Sequence, residues 1–352
     1  DGKFKKDIYF EKVKNKSNFK ILKQSTEKYL DEELIKIKNL KNKNILLFSG
    51  GKDSCLLFQN LVKNKINFVP VYFHTQPETS ETLKNLNLAK LFCDKYDIKI
   101  KIITIDIKKK IPKNFFKHLM FFEYHISLLH FFGIKQIKKI YGKKTTIITG
   151  QSCDSILSFG PSQYTLPNLI ARTLIHYPES LVSKFFVKVI NYKFKKKIFK
   201  ISNLNQFYSS FYYSFYYYLL LTYQNKNFSL EKDLKKFIYK DKNKISSLMY
   251  LKCHGFLQGP DNLVLINSAR YFKIQNIIMP YASYRFTQIV CKNYNFALDV
   301  IFPKYIIDVL LDNYFIVKLK NFIYKKKSDI KLSDLDLELK HKHLKLIKNE
   351  IK

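Results

Sequence analysis

Tryptophan is absent from this 352-residue chain, and Arg172, Arg270 and Arg285 are its whole complement of arginine. The formal charge of +35 is therefore almost entirely lysine. Proteins that read nucleic-acid sequence favour the bidentate fork of arginine. The chain is also rich in asparagine, isoleucine, phenylalanine and tyrosine, a bias that an AT-rich genome produces whatever the function, so the charge carries little weight for RNA binding. Cysteine is sparse and odd in number: Cys55, Cys93, Cys153, Cys253 and Cys291 include no C-x-x-C pair. Such a set argues against a disulfide framework, a zinc site or an iron–sulfur cluster, and fits a reducing, cytoplasm-like compartment. No run reaches the roughly 20 apolar residues of a membrane span. The nearest, Phe207 to Tyr223, is rich in tyrosine and serine and reads as a buried helix or helix pair. The chain opens on Asp1 rather than methionine, which fits a processed or truncated N-terminus, and its first residues show no signal-peptide pattern. No G-x-x-x-x-G-K-[ST] loop, G-x-S-x-G elbow or H-E-x-x-H helix occurs.

Hydrophobic residues make up 46% and aromatics 16%, enough for a real core. Residues 1–43 are lysine-rich, with a helical stretch from Glu27 to Leu40, and read as a basic lead-in. From Asn44 short apolar strands alternate with helices. Strands are expected at Asn44–Phe48, Phe68–Phe73, Ile98–Ile105 and Thr145–Thr149, and helices at Ser54–Lys63, Ser80–Tyr96 and between Phe115 and Ile140. That order predicts an α/β fold with a parallel sheet, ligands binding beyond the carboxyl ends of its strands. Past Gln151 the alternation stops. Leu166–Leu251 and Leu263–Leu311 read as helices, with basic Lys193–Lys200 and polar Gln224–Lys244 on the surface and a charged tail from Lys325. The expected division is 1–43 basic helical lead-in, 44–165 α/β core, 166–325 mainly helical part and 326–352 charged tail.

The expected first strand runs directly into Ser49-Gly50-Gly51-Lys52-Asp53-Ser54, which runs into a helix. Two glycines let the backbone turn tightly and approach a phosphate with no Cβ in the way. Helix N-terminal amides with the Ser49 and Ser54 hydroxyls then offer donors to phosphate oxygens. A second segment, Thr149-Gly150-Gln151-Ser152-Cys153-Asp154-Ser155, follows the fourth strand and leads to Phe159-Gly160. A third comprises Met279-Pro280-Tyr281 and Phe302-Pro303-Lys304-Tyr305-Ile306-Ile307.

The first segment matches S-G-G-x-D-S and resembles the loop of PP-loop ATP pyrophosphatases. The second is similar to the T-G-E-G-x-D-E-x-F-G-G segment of asparagine synthetase-type synthetase domains, and the third to their R-x-P-F-L-D and K-x-x-L blocks. The resemblance spans about residues 40 to 315. It implies a Rossmann-like parallel sheet of PP-loop (HUP) type with a helical C-terminal part. It also implies ATP and pyrophosphate binding by Phe48, Ser49, Gly50, Gly51, Lys52, Asp53, Ser54, Phe73, Thr149 and Gly150, Mg2+ on Asp53 and Asp154, and a catalytic Lys304. The implied reaction is adenylation of a small-molecule carboxylate and its capture by ammonia or an amine, with release of AMP and pyrophosphate. Departures are plain: Gln151 and Ser155 replace the two acids, Asn276 and Ile278 stand where the family has glutamate and arginine, and Ala282-Ser283 stand for Leu-Asp.

Asparagine synthetases carry an N-terminal glutaminase domain that begins with a catalytic cysteine, whereas here the segment before Ser49 contains no cysteine. The expectation is use of free ammonia, an amine, or ammonia from a separate glutaminase. A tRNA-modifying PP-loop enzyme of lysidine synthetase or thiolation type is the runner-up, with tRNA as partner, and a non-catalytic relic scaffold stands third. His118 and His125, seven apart, have no paired acids or cysteines, and with His74, His130 and His254 they read as core or surface histidines.

Overall fold

The computed structural model describes residues 16–78, 80–106, 108–109, 112–115, 127–157 and 260–311, with six single positions between 169 and 188. Outside the described residues lie Phe207–Tyr223, nearly all of Leu166–Leu251, Lys193–Lys200, Gln224–Lys244, the tail from Lys325, His118, His125, Cys253, His254 and Phe159-Gly160.

Five strands form one wholly parallel sheet: β1 (Lys43–Leu47), β2 (Val69–Gln76), β3 (Lys101–Asp106), β4 (Thr145–Ile148) and β5 (Asn276–Ile278), in the order β3-β2-β1-β4-β5. β1 sits at the centre, with Leu47 level with Val71 of β2 and Ile45 level with Ile147 of β4. The fold is α/β and Rossmann-like. β5 corrects the expectation that alternation ends after Gln151. It pairs with β4, Ile277 level with Ile147, and so stands among the helices expected over Leu263–Leu311.

The helices are α1 (Phe19–Lys38), α2 (Lys52–Lys63), α3 (Ser80–Lys95), α4 (Leu128–Tyr141), α5 (Cys153–Leu157), α6 (Pro260–Tyr271), α7 (Tyr284–Asn293), α8 (Phe296–Ile301) and α9 (Tyr305–Leu310). Because side chains alternate along a strand, β1 feeds two cores. Ile45 and Leu47 face a cluster of Val71, Ile103, Ile147, Phe131 and Ile134 of α4, and Leu265 and Ala269 of α6. Phe48 instead meets Phe58 of α2 and Phe92 of α3, with ring centroids 5.0 and 5.9 Å away. All three rings are buried, each contributing about 2 kcal/mol through removal of apolar surface from water. Helices thus cover both faces of the sheet, as a doubly wound fold requires.

Local signals set the helix ends. Ser127 caps α4 by accepting from the His130 N–H at 3.4 Å, and Gly142 ends it at φ +79°. α2 stops at Asn64, followed by Lys65 at φ +52°.

The chain divides into two compact units. The larger comprises Lys23–Cys153, Phe256–Phe286 and Ile306–Lys352, and contains the sheet. In it α1 rests on α2 through Asp31, which accepts from Lys63 and Asn64, and Tyr29 donates to the Pro280 carbonyl at 2.7 Å. The other comprises Asp1–Leu22, Asp154–Gly255 and Thr287–Tyr305. Here the backbone N–H groups of Lys16 and Asn18 donate to the Lys292 and Asn293 carbonyls, and Phe19 stacks on Tyr305. Among the described residues no helix is long and apolar enough to cross a membrane.

Candidate functional site

Strand order reverses direction at β1: its β2 neighbour follows it in the chain, while its other neighbour β4 arrives only after β3. The loops leaving β1 and β4 therefore flank the switch point, where open parallel sheets bind ligands. Ser49–Ser54 is the first of these loops and Thr149–Gly150 begins the second.

Gly50 holds φ at +72°, a left-handed conformation costly for residues with a Cβ. A β carbon there would stand 2.6 Å from Ala89 N and 2.7 Å from Asn85 O, both backbone atoms of α3. Gly51 is extended, at φ −73° and ψ 153°, and occupies the N-cap of α2 with no side-chain cap. The Ser49 hydroxyl accepts from Gly51 N–H at 3.2 Å and lies 3.2 Å from the Ser54 hydroxyl. Ser54 Oγ also donates to the Gly51 carbonyl at 2.9 Å. The loop therefore presents two hydroxyls and the uncapped end of a 12-residue helix on a backbone stripped of β carbons. That donor set fits a phosphate.

The second loop closes on the first. A β carbon on Gly150 would stand 3.3 Å from Asp53 C, Asp53 Cβ and Ser54 N. Thr149 is buried, and its N–H donates to the Ile278 carbonyl at 3.1 Å, so β5 fixes the entry to this loop. Ser152, at φ +68°, is held by Asn262 of α6 through a buried hydroxyl–amide bond of 2.6 Å. Tyr281 reaches the same place and donates to the Asp53 carbonyl at 3.1 Å. Burial, reinforced by Cys153, Asp53 and Cys55 nearby, raises its hydroxyl well above the ordinary range, so it remains a donor.

Lys52 extends from the start of α2 to Asp308 of α9, with Nζ 2.9 Å from Oδ2 and 3.1 Å from Oδ1. Neither Asp308 nor Asn262 is marked by sequence pattern, since each meets its partner across more than 100 residues of chain. Tyr281 lies in the Met279-Pro280-Tyr281 segment singled out above. Phe48 packs its ring in the aromatic cluster already described, and Phe73 lies against Gly133 of α4, where an added β carbon would meet that ring at 2.4 Å.

In the other unit Asp154 and Lys304 form an ion pair, with Asp154 mostly exposed and Lys304 only 4% exposed. Lys304 holds φ at +61°, and its N–H donates to Oδ1 of buried Asp299 at 3.4 Å. Asp299 also accepts from Tyr294, which lies against the Leu157 carbonyl of α5. Thus Tyr294 and Asp299 link the turn that carries Lys304 to the helix that carries Asp154.

A hard cation such as Mg2+ needs carboxylate oxygens and commonly shares them with phosphates. Asp53 Oδ1 is fully buried beside the loop and is of the right chemistry. Among the described residues no group of three or more His, Cys, Asp or Glu converges. His74 pairs with Glu78 at 2.8 Å, and His130 is held by Ser127.

No protein-family model matches the chain, and no curated protein matches it. Among solved structures it is similar to an NH3-dependent NAD synthetase from Campylobacter jejuni, at 17% identity and TM-score 0.27, over 71% of this chain and 95% of that one. It is also similar to the U34-tRNA thiolase NcsA from Methanococcus maripaludis with its [4Fe-4S] cluster, at 12% identity and TM-score 0.30, over 73% and 82%. The assignment of fold rests on strand order and register.

Proposed function

We propose that the chain is an ATP-using enzyme of PP-loop type that binds the nucleotide's phosphates at Ser49–Ser54 and activates a carboxylate as its adenylate for capture by ammonia or an amine. The observation that carries the reading is the approach of Gly150 to Asp53 and Ser54, directly over an uncapped helix N-terminus at the switch point of the sheet. Phosphate oxygens accept from the α2 amides and from the Ser49 and Ser54 hydroxyls, and the positive end of the helix dipole favours their charge. Lys52 adds a cation at the same end. Asp53 is the residue of this loop that would hold Mg2+, which when bound offsets charge as pyrophosphate leaves. Gly150 keeps the second loop low enough to cover the phosphates. Lys304 is the proposed cation that stabilises charge developing in turnover, and Asp154 fixes its ammonium in the resting protein.

Cys55 and Cys93 are poorly suited to the thiolate chemistry of a thiolation enzyme. Burial pushes the Cys55 thiol well up and the Cys93 thiol to about 12, which makes both poor thiolates.

The test is carboxylate-dependent exchange of labelled pyrophosphate into ATP, screened with pooled carboxylic acids and with tRNA. Exchange that requires a carboxylate pool is expected. Exchange that requires tRNA, or ATP turnover to ADP and phosphate, contradicts the proposal.

A further inference from the structure

Lys52 is the first residue of α2, and its ammonium contacts both oxygens of the Asp308 carboxylate at 2.9 and 3.1 Å. The lysine side chain is 14% exposed and the aspartate 40%. Farther along α2, Gln59 Nε2 donates to the Leu310 carbonyl at 2.9 Å. Ile306, Ile307, Leu310 and Leu311 are buried around these polar ties. The segment from Ile306 to Leu311 is therefore fastened to the helix whose N-terminus carries the phosphate loop.

A lysine at a helix N-terminus opposes the macrodipole, whereas an anion there is favoured. Asp308 supplies that anion, and it offers Lys52 two oxygens of one charged group, as a phosphate does. We propose that Asp308 is an internal anion that competes with ligand phosphates for Lys52 and so sets the affinity of the loop for pyrophosphate-bearing ligands. The inference rests on the phosphate-binding reading of Ser49–Ser54. An ion pair with a partly exposed carboxylate is weak, so a polyphosphate carrying several charges displaces it at little cost. Displacement removes one of the ties that fasten the Ile306–Leu311 segment to α2, and its backbone opens more often.

The test titrates inorganic pyrophosphate into the full chain by calorimetry, comparing wild type with Asp308→Asn, Asp308→Ala, Asp308→Glu and Lys52→Met. Removing the internal anion by either Asn or Ala is expected to tighten binding about threefold or more, and Glu, which keeps the charge, to leave it near wild type. Lys52→Met is expected to weaken binding, and Asp308→Asn to add nothing in the Lys52→Met background, because it acts through that ammonium. Amide exchange over residues 306–311 should rise on adding pyrophosphate to the wild type. Weaker or unchanged binding in Asp308→Asn and Asp308→Ala, with wild type still binding, overturns this inference alone. A gain that persists without Lys52 also overturns it. Absence of binding in wild type and in every variant overturns the phosphate-binding reading, and this inference with it.

Discussion

Gly150 approaches Asp53 so closely that a β carbon on Gly150 would stand 3.3 Å from the Asp53 β carbon. The loop after β4 thereby rests on the loop after β1, two segments that lie almost 100 residues apart in the chain. Gly150→Ala forces a separation of a few tenths of an ångström at three points, two of them backbone. The expected loss of stability is about 1 kcal/mol, with a larger relative loss in ATP affinity, about tenfold. Thermal melts and ATP titrations of wild type and variant measure the two effects. Unchanged ATP affinity would show that the contact between the loops does not serve the nucleotide.

The two glycines of the first loop differ in what they must do. Gly50 needs a left-handed backbone and would drive a β carbon into α3, whereas Gly51 is extended and would meet only the Ser49 hydroxyl at 3.2 Å. Gly50→Ala should cost about 2–4 kcal/mol in a denaturant melt and Gly51→Ala less than about 1. Equal costs would contradict the placement of α3 against Gly50.

Much of this was legible because the sequence signals are local. An apolar strand ending in Ser-Gly-Gly and leading into a helix marks the switch-point loop by itself, and β1 to β4 begin and end close to where the apolar runs do. β5 was not legible. Asn276–Ile278 is three residues long, and all three are half-buried, so neither length nor alternation separates it from a loop. Only its pairing with β4 makes it a strand. The partners of Lys52 and Ser152 were equally hidden, since Asp308 and Asn262 carry no motif and are brought in by packing of α9 and α6. The direction of the Phe48 ring follows from strand alternation with Leu46, a consequence of register with which motif position alone does not deal.

The Lys304–Asp154 pair is lopsided, with a buried ammonium and an exposed carboxylate. Losing the carboxylate strands a desolvated charge, while losing the ammonium leaves an aspartate that water already solvates. Asp154→Asn should therefore destabilise more than Lys304→Met, by about 1–3 kcal/mol against about 1 or less. Lys304→Ala should lower turnover about a hundredfold while changing ATP affinity little. Denaturant melts and a split of kcat from ATP affinity check both statements, and undiminished turnover removes Lys304 from the mechanism.

His130 gives the fold a pH dependence of known sign. Burial lowers its pKa from the ordinary 6.5 to about 4. The unfolded chain takes up the proton near pH 6.5 and the folded one only near 4, so the stability is present above pH 6.5 and is lost as pH falls toward 4. The slope reaches at most about 1.4 kcal/mol per pH unit in that window. In the difference between wild-type and His130→Asn unfolding free energies, wild type should lose stability faster from pH 6.5 to 4. Parallel curves would mean that the imidazole is not desolvated.

The central claim is that Ser49–Ser54 holds a pyrophosphate, and a binding measurement needs no knowledge of the carboxylate or the amine. Calorimetric titration of pyrophosphate with magnesium into wild type and Ser49→Ala/Ser54→Ala compares the loop with and without its two hydroxyls. Loss of two hydrogen bonds to a charged ligand predicts weakening by about tenfold or more, beside a modest fall in the melting temperature of the free protein, because the same hydroxyls also hold Gly51. Equal pyrophosphate affinity in the two proteins, or none in wild type, would contradict the account.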